Sequence, residues 1–215
     1  MILIKFLNMC LSFCNMDAEV YKGNIKKYQT KNPILKLMMK KFNRDVTTIV
    51  SLCDPKKILD VGCGEGFTTI AMAKKFYKAK ITAVDIDVEK IKYAKERNNF
   101  KNIHYIKGDV FKLSFNKNSF DLVICTEFLE HLKSYRLVLD ILINLSREYI
   151  LISAPNEPWY RMANIIRLKY VSRLGNTHGH VNNWTKDQLL KLLSQYGKVI
   201  KLTRSTLWNI AFIKK

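Results

Sequence analysis

A glycine-rich bend follows a run of apolar residues in the stretch ILDVGCGEG, which spans residues 58–66. The glycines stand at alternate positions, Gly62, Gly64 and Gly66. Glycines in such a turn let the backbone approach a ligand closely, and the last one lets the following helix pack tightly. Glu65 lies inside the bend, where its charge would repel a phosphate group. The bend therefore indicates a site for a ligand with a cationic or zwitterionic end.

Two further acids follow later apolar runs. Asp85 ends the run in AVDID and is followed by Ile86, whereas Asp109 stands in KGDV before Val110. A carboxylate has two acceptor oxygens, so it can pair with both hydroxyls of a diol. Each acid could instead cap a helix or a turn, and Asp60 could brace a bend. Because all three acids are predicted at strand ends of one sheet, we favour a shared ligand site.

A second set of reactive side chains lies in TEFLEHL, residues 126–132. Glu127, Glu130 and His131 are spaced i, i+3 and i+4, which predicts that they share one face of a helix. Two carboxylates and an imidazole could hold a divalent cation or accept a proton. A simpler alternative stays open, since acids in the first turn of a helix are favoured by the helix dipole alone.

The segment of residues 156–184 is longer than a minimal sheet requires. It follows a predicted strand at the edge where ligands enter folds of this kind, and it is rich in aromatic and basic residues. We expect this insertion to shape a binding site, with His180 as its candidate reactive residue. A plain amphipathic helix with solvated arginines would explain the middle of the segment equally well.

Short apolar runs alternate with amphipathic stretches along most of the chain. The predicted strands occupy residues 56–62, 80–85, 103–108, 120–125, 149–155, 198–205 and 207–215. Helices are predicted between and ahead of them, one of them over residues 33–53 and another after an N-cap at Thr185. This alternation predicts an α/β fold with a doubly wound, mostly parallel, seven-stranded sheet and a helical lid at the N-terminus.

Composition limits the classes of function. The 215 residues include 37 basic and 18 acidic side chains, and the net charge of +19 favours polyanions such as RNA or acidic lipid head groups. Most of the bases are lysines scattered along predicted helices, so a general lysine-rich composition without a polyanion site explains the charge better than a nucleic-acid footprint does. No apolar run reaches the roughly 18 residues needed to cross a bilayer. The five cysteines form no C-x-x-C pair, which fits a reducing compartment, so we expect a cytoplasmic protein.

Domain boundaries are suggested at the N-terminus alone. Residues 1–15 are mostly apolar and precede an ordinary polar start at Met16, so we expect them to form an extension outside the core. Residues 16–215 are then expected to form a single domain that includes the insertion.

Four motifs occur in the order ILDVGCGEG, AVDID, KGDV and FDLVICTEFLEHL within residues 56–155. In order and spacing they resemble the motifs of class I S-adenosylmethionine-dependent methyltransferases, of the small type 11/12 kind. The resemblance implies a Rossmann-like methyltransferase fold, S-adenosylmethionine as cofactor and methyl transfer as activity. It also implies a cofactor-binding set, which comprises Asp60, Gly62, Cys63, Gly64, Gly66, Asp85, Ile86, Asp109, Val110 and Thr126.

The resemblance also implies what each part of that set would do. The loop of residues 62–66 would hold the methionine part of the cofactor, with Asp60 fixing the turn or reaching the ammonium group through water. Asp85 would accept hydrogen bonds from both ribose hydroxyls, Ile86 would pack against the adenine, and Asp109 would accept from the adenine amino group.

On the acceptor side, methyl transfer from a sulfonium is an in-line displacement. Positioning therefore supplies most of the catalysis, and a base matters only where the acceptor loses a proton. We expect Glu130, His131 and His180 to be the catalytic residues and an unidentified small molecule to be the acceptor, with no metal ion required.

Two alternatives stay open. The chain is similar, at Glu127, Glu130, His131, PNEP and His180, to methyltransferases that modify the terminal 2′-hydroxyl at the 3′ end of small RNAs. That similarity implies RNA as a partner and a divalent cation held by the two glutamates and two histidines. The chain departs from those enzymes in having NNW where they have FEW. The other alternative is a non-catalytic S-adenosylmethionine-binding protein, which the intact cofactor motifs disfavour.

Overall fold

The computed structural model describes residues 32–166, 168 and 170–215. The extension predicted over residues 1–15 lies outside this part of the chain. The strands are β1 (Lys57–Val61), β2 (Lys80–Asp85), β3 (Ile103–Lys107), β4 (Phe120–Thr126), β5 (Ser146–Pro155), β6 (Lys198–Ser205) and β7 (Trp208–Lys214). The α-helices are α1 (Pro33–Val50), α2 (Phe67–Lys75), α3 (Val88–Glu96), α4 (Tyr135–Leu145), α5 (Trp159–Ile166) and α6 (Lys186–Leu193).

The strands form one seven-stranded sheet in the order β3-β2-β1-β4-β5-β7-β6. Strands β1 to β5 are parallel, whereas β7 runs antiparallel between β5 and β6. This arrangement confirms the predicted α/β fold with a mostly parallel, doubly wound sheet. The strand order reverses direction beside β1, which pairs with β2 on one side and with β4 on the other. Ligands bind at such a switch point, outside the carboxyl ends of the strands.

Helices cover both faces of the sheet. On one face, α1 buries Phe42 and Val46 in a cluster that includes Phe212 of β7. On the other face, α4 and α6 bury Leu142 and Leu189. Because both faces are covered, the central strands are apolar at most positions, and this is why they could be recognised in the sequence.

Side-chain caps set where several helices begin. Asn32 accepts from two amides of the first turn of α1, and Asp87 does the same for α3. Thr185 and Gln188 form a reciprocal capping box at the start of α6, which confirms the predicted N-cap.

The chain after β4 does not form the helix predicted there. Glu127 has a left-handed φ of 56°, which a right-handed helix cannot contain. A single 3₁₀ turn follows at Leu129–His131, and α4 begins only at Tyr135. The prediction that Glu127, Glu130 and His131 share one helical face is therefore wrong.

Gly66 provides a test of how tightly the glycine-rich bend is packed. Its φ of 75° is left-handed, and a Cβ atom there would lie 2.5 Å from the hydroxyl oxygen of Tyr105. We expect Gly66→Ala to lower the free energy of unfolding by about 2–4 kcal/mol, because left-handed strain adds to overpacking. Denaturant unfolding without added ligand measures this change.

Tyr105→Phe is the matched control, since it removes the hydroxyl oxygen and keeps the ring. In a double-mutant cycle, Gly66→Ala should cost about 1 kcal/mol less in the Tyr105→Phe background. Equal costs in the two backgrounds would show that the Tyr105 hydroxyl does not limit the space at Gly66.

Candidate functional site

The glycine-rich bend closes against the end of β2 through backbone hydrogen bonds. The amides of Gly62 and Cys63 donate to the carbonyl oxygen of Val84, at 2.8 and 3.1 Å. The three glycines have left-handed φ angles of 72°, 53° and 75°, which glycine adopts at little steric cost. The bend therefore presents backbone, rather than bulky side chains, at the switch point of the sheet.

Asp85 joins this bend to the turn that opens α3. Its Oδ2 accepts from the amide of Gly64 at 2.8 Å, and its Oδ1 accepts from the amide of Asp87 at 2.9 Å. The residue is only 8% exposed. Each carboxylate oxygen can accept more than one hydrogen bond, so the group that braces the loops can also pair with a diol. The bracing role and the predicted ligand-binding role are thus compatible.

Asp60 lies near the end of β1, just before the bend. Its Oδ2 accepts from the hydroxyl of Thr69 in α2 at 2.6 Å, and its Oδ1 has no hydrogen-bond partner among the described residues. Burial raises the pKa of Asp60 to about 6; the Thr69 hydroxyl opposes this rise and the charge of Asp85 adds to it. A buried carboxylate oxygen without a partner favours a cationic ligand group at this point.

Asp109 stands next to the end of β2. Its Oδ1 accepts from the amide of Phe111 at 3.0 Å, and it caps the 3₁₀ turn Val110–Lys112. The amide of the preceding residue, Gly108, donates to the carbonyl oxygen of Asp85 at 2.9 Å. The structure thus brings the third predicted acid to the same edge of the sheet as the first two.

The other residues predicted on the cofactor side differ in exposure. Val110 is buried, Ile86 is 55% exposed beside the end of β2, and Thr126 ends β4 with little exposure. Burial raises the pKa of the Cys63 thiol well above its ordinary value, and neighbouring carboxylates add to the shift. The thiol is therefore protonated at neutral pH and acts as a small apolar group.

Glu130, His131 and His180 come together, although His180 is distant in sequence. Each offers a ligand atom, and these atoms lie within 4.8 Å of one another. Glu130 is fully buried, and the rings of the two histidines meet edge to face with centroids 4.9 Å apart. A carboxylate and two imidazoles at this spacing can take up a proton, orient a polar molecule or hold a cation. Among the described residues, this group does not include Glu127.

Backbone hydrogen bonds dock the loop of residues 179–182 on the 3₁₀ turn after β4. The amides of Val181 and Asn182 both donate to the carbonyl oxygen of Glu130, at 2.9 and 3.1 Å. The side-chain amide of Asn182 donates to two further carbonyl oxygens in and beside the turn, at 3.2 and 2.6 Å. This docking, rather than helical spacing, brings His180 to Glu130.

The start of the insertion packs against the same cluster. Tyr160 stacks on His180 with ring centroids 5.7 Å apart, and the amide of Glu157 donates to the carbonyl oxygen of Trp184 at 3.2 Å. Burial raises the pKa of the Glu157 carboxyl, against the effect of the Arg161 amide and charge. Its Oε1 lacks a hydrogen-bond partner in the described part of the chain. Glu157 is therefore a further buried carboxyl group at the start of the insertion.

Sequence reasoning did not select several residues that shape the site. Phe128 lies so close to Gly62 that a Cβ atom there would come within 2.5 Å of its ring. Thr69 lies one turn into the helix that follows the bend, and its position was a usable signal for a partner of Asp60. Asn182 had no such signal, because its contacts exist only after the insertion has docked.

Comparison with known proteins agrees with this geometry. A family model described as a methyltransferase domain matches residues 52–197. The chain is 30% identical over 152 residues to the ubiquinone biosynthesis O-methyltransferase of Psychrobacter arcticus, covering 66% of this chain and 58% of that protein. It is 31% identical over 141 residues to the malonyl-[acyl-carrier protein] O-methyltransferase of Bacillus cereus, covering 63% and 52%. The chain spans between 23% and 58% of the length of these and the other most similar curated relatives.

Solved structures share the fold over nearly the whole chain. Magnesium protoporphyrin IX methyltransferase from Synechocystis PCC 6803, with bound SAH, has a TM-score of 0.71 at 15% identity, covering 97% of this chain and 99% of that chain. A SAM-dependent methyltransferase from Aquifex aeolicus has a TM-score of 0.67 at 17% identity, covering 93% and 99%. The likeness to these structures shows the fold, and the family model covers more than half of the chain. The chain belongs to the family of class I S-adenosylmethionine-dependent methyltransferases.

Proposed function

We propose that this protein transfers a methyl group from S-adenosylmethionine to a small-molecule acceptor. The observation that carries the proposal is the network at the switch point, in which Asp85 binds the amide of Gly64 and Asp60 keeps one buried oxygen without a partner. The network offers bare backbone, a carboxylate for a diol and a carboxylate for an ammonium group. These are the groups needed to hold the ribose and the amino acid part of that cofactor.

On the cofactor side, the residues of this chain bind and orient. The bend of residues 62–66 would hold the methionine part, and Asp60 would face its ammonium group. Asp85 would accept from the ribose hydroxyls, with Ile86 and Asp109 at the adenine. The bound cofactor supplies a methyl group on a positively charged sulfur atom.

On the acceptor side, Glu130, His131 and His180 would position the acceptor and take its proton where one is lost. Glu130 and His131 follow β4, the strand next to β1, and His180 reaches them from the insertion after β5. The group therefore lies beside the strand that leads into the glycine-rich bend. Holding the acceptor in line with the methyl group supplies most of the rate enhancement. The name of the ubiquinone biosynthesis relative supports a small molecule as the acceptor.

A second candidate function rests on the close approach of the cluster. Ligand atoms within 4.8 Å of one another suit a divalent cation, and a cation could lower the pKa of an RNA 2′-hydroxyl. Glu127, the fourth ligand that this candidate requires, stands outside the group, so we place metal-dependent RNA 2′-O-methylation second. A non-catalytic role finds no support among the relatives, which are named as methyltransferases.

We also propose that residues 16–215 act as a single domain in the cytoplasm. One sheet that runs from Lys57 to Lys214 supports the single domain. The free thiols of Cys53, Cys63 and Cys125 support a reducing compartment.

Asp85→Ala tests the cofactor side. It should weaken binding of S-adenosylhomocysteine by about 10- to 100-fold, because the ribose hydroxyls and the amide of Gly64 lose their acceptor. Isothermal titration calorimetry measures the affinity. Asp87→Ala is the matched control, since it removes a carboxylate two residues away that caps α3, and it should change the affinity by less than about twofold. Equal losses in the two variants would contradict the role of Asp85.

Asp60→Asn tests the charge before the bend. The folded chain raises the pKa of Asp60 from 3.8 to about 6, so it binds this proton more tightly than the unfolded chain does. The charged carboxylate therefore costs stability, and this cost grows as the pH rises through that range and is complete above it. Asp60→Asn should raise the free energy of unfolding at about pH 7.5 by about 1–3 kcal/mol and by almost nothing near about pH 4.

The same Asp60→Asn variant should bind S-adenosylhomocysteine more weakly, because the ammonium group loses its charged partner. Denaturant unfolding across the pH range and calorimetry measure the two effects. A stability gain that does not change with pH would show that the carboxylate charge is not its cause.

His180→Ala tests the acceptor side. With labelled S-adenosylmethionine and a panel of small amines, phenols and carboxylic acids, the unchanged chain should methylate at least one acceptor. His180→Ala should slow that reaction by about 100-fold or more and leave S-adenosylhomocysteine affinity unchanged. His178→Ala is the matched control, because His178 contacts Arg173 and Tyr170 instead of the cluster.

The same assay separates the two candidate functions. RNA ending in a 2′-hydroxyl and RNA ending in a 2′-hydrogen are tested with EDTA and with Mn²⁺, at about 150 mM salt to weaken non-specific phosphate contacts. We expect neither RNA to be methylated. Incorporation that needs both Mn²⁺ and the terminal hydroxyl would replace the small-molecule proposal with the RNA candidate.

A further inference from the structure

An exposed apolar surface lies on the insertion that follows β5. We call it the insertion surface, and it comprises Trp159, Met162, Ile166, Leu168, Val171 and Leu174. These side chains are between 46% and 84% exposed. Single exposed apolar residues are ordinary, but a group of large ones within 16 positions of the chain is typical of an interaction site.

The helix in this surface, α5, keeps large apolar side chains on its outer side. The residues that α5 buries against the protein are Tyr160 and Asn164, both of which carry polar groups. The side-chain amide of Asn164 donates to the carbonyl oxygen of Gly175 at 2.9 Å in a buried hydrogen bond. The large apolar side chains Met162 and Ile166 point away from the core and are exposed. Tyr160 also packs in the apolar cluster that contains Phe212, so α5 carries apolar side chains on both sides. The large apolar side chains on its outer side are suited to an apolar partner.

The loop after α5 is tied to the helix, so the two form one surface. The guanidinium of Arg161 donates to the carbonyl oxygen of Leu174 at 3.0 Å. Gly175 packs so closely on α5 that a Cβ atom there would collide with the carbonyl oxygen of Arg161. Its amide donates to the carbonyl oxygen of Tyr170 at 2.9 Å. These contacts hold Val171 and Leu174 beside the exposed side of the helix.

The charges around the insertion surface indicate which kind of partner it would bind. Between Pro158 and Lys186 the sequence contains no Asp or Glu, although the chain has 18 acidic residues in all. The basic residues interleaved with the insertion surface are Arg161, Arg167, Lys169 and Arg173. Basic residues next to apolar ones complement a partner that is apolar inside and anionic at its surface. Only one of the six exposed side chains, Trp159, is aromatic, so the surface offers little of the base stacking by which proteins hold single-stranded RNA.

We propose that the insertion surface docks this protein on an anionic lipid surface. Across the described residues, no helix is both long and apolar enough to cross a membrane. The docking we propose is a contact at the lipid surface made by the side chains of the insertion surface. On its inner side α5 carries Tyr160, which stacks on His180 at 5.7 Å, so docking places the acceptor cluster close to the lipid. The docking goes beyond the proposed function and does not depend on it.

Vesicle flotation with the full chain tests this proposal at about 150 mM salt, where surface charge is strongly screened. The protein should float with phosphatidylcholine vesicles that contain about 30% phosphatidylglycerol, and much less with phosphatidylcholine alone. The variant Ile166→Glu/Leu168→Glu should lower the bound fraction by at least about tenfold, because two of the most exposed apolar side chains can no longer enter the lipid.

The matched control is Leu52→Glu/Tyr77→Glu. It changes the net charge by the same amount as the Ile166→Glu/Leu168→Glu variant. The two altered side chains are 59% and 69% exposed and precede β1 and β2, so they lie at the amino ends of the strands, away from the insertion. This control should float like the unchanged chain. All variants should keep their affinity for S-adenosylhomocysteine, which shows that they are folded and separates this test from that of the proposed function.

Several outcomes would overturn the proposal. One is that the wild-type protein does not float, and another is that the Ile166→Glu/Leu168→Glu variant floats as well as the wild-type protein. A third is that the control variant loses as much flotation as the Ile166→Glu/Leu168→Glu variant, which would mean that net charge alone drives binding. The partner would instead be a second copy of this chain if the wild-type protein does not float but forms a dimer in light scattering, and if the Ile166→Glu/Leu168→Glu variant is monomeric.

Discussion

The carboxylate of Asp85 accepts hydrogen bonds from two separate loops, at the amide of Gly64 in the bend and at the amide of Asp87 before α3. Two turns that belong to different βα units are thereby held against one side chain. The bend cannot shift without losing one of these hydrogen bonds, and the first residues of α3 are held in the same way. The cleft at the switch point is therefore formed before any ligand binds, so binding costs little conformational entropy in these loops.

Asp60 shows the opposite arrangement. Its environment holds the pKa above the ordinary value through burial, and only one of its oxygens is hydrogen-bonded to another described residue. A fold selected for stability alone would place a neutral or apolar side chain there. The two acids thus have different roles. Asp85 braces the loops, whereas the charge of Asp60 destabilises the fold until a cationic group pairs with it.

Much of the fold could be predicted because it follows local rules. Strands covered on both faces appear as apolar runs, and caps such as Thr185 mark where helices start. The acids at strand ends were predictable for the same reason. The turn after β4 was not, because the left-handed conformation of Glu127 overrides the helical spacing of its neighbours. The approach of His180 to Glu130 also depends on backbone contacts between distant segments, which leave no periodic trace in the sequence.

The position of β7 has a consequence for how the chain is made. This strand pairs with β5 on one side and β6 on the other, yet it follows both of them in the sequence. During synthesis from the N-terminus, β5 keeps an unpaired edge until residues up to Lys214 have left the ribosome. Bare strand edges recruit other strands, so the nascent protein is most prone to aggregate in the interval between β5 and β7. The sheet thus closes only after β7 has emerged, so the time taken to translate residues 156–214 sets how long the edge of β5 stays bare.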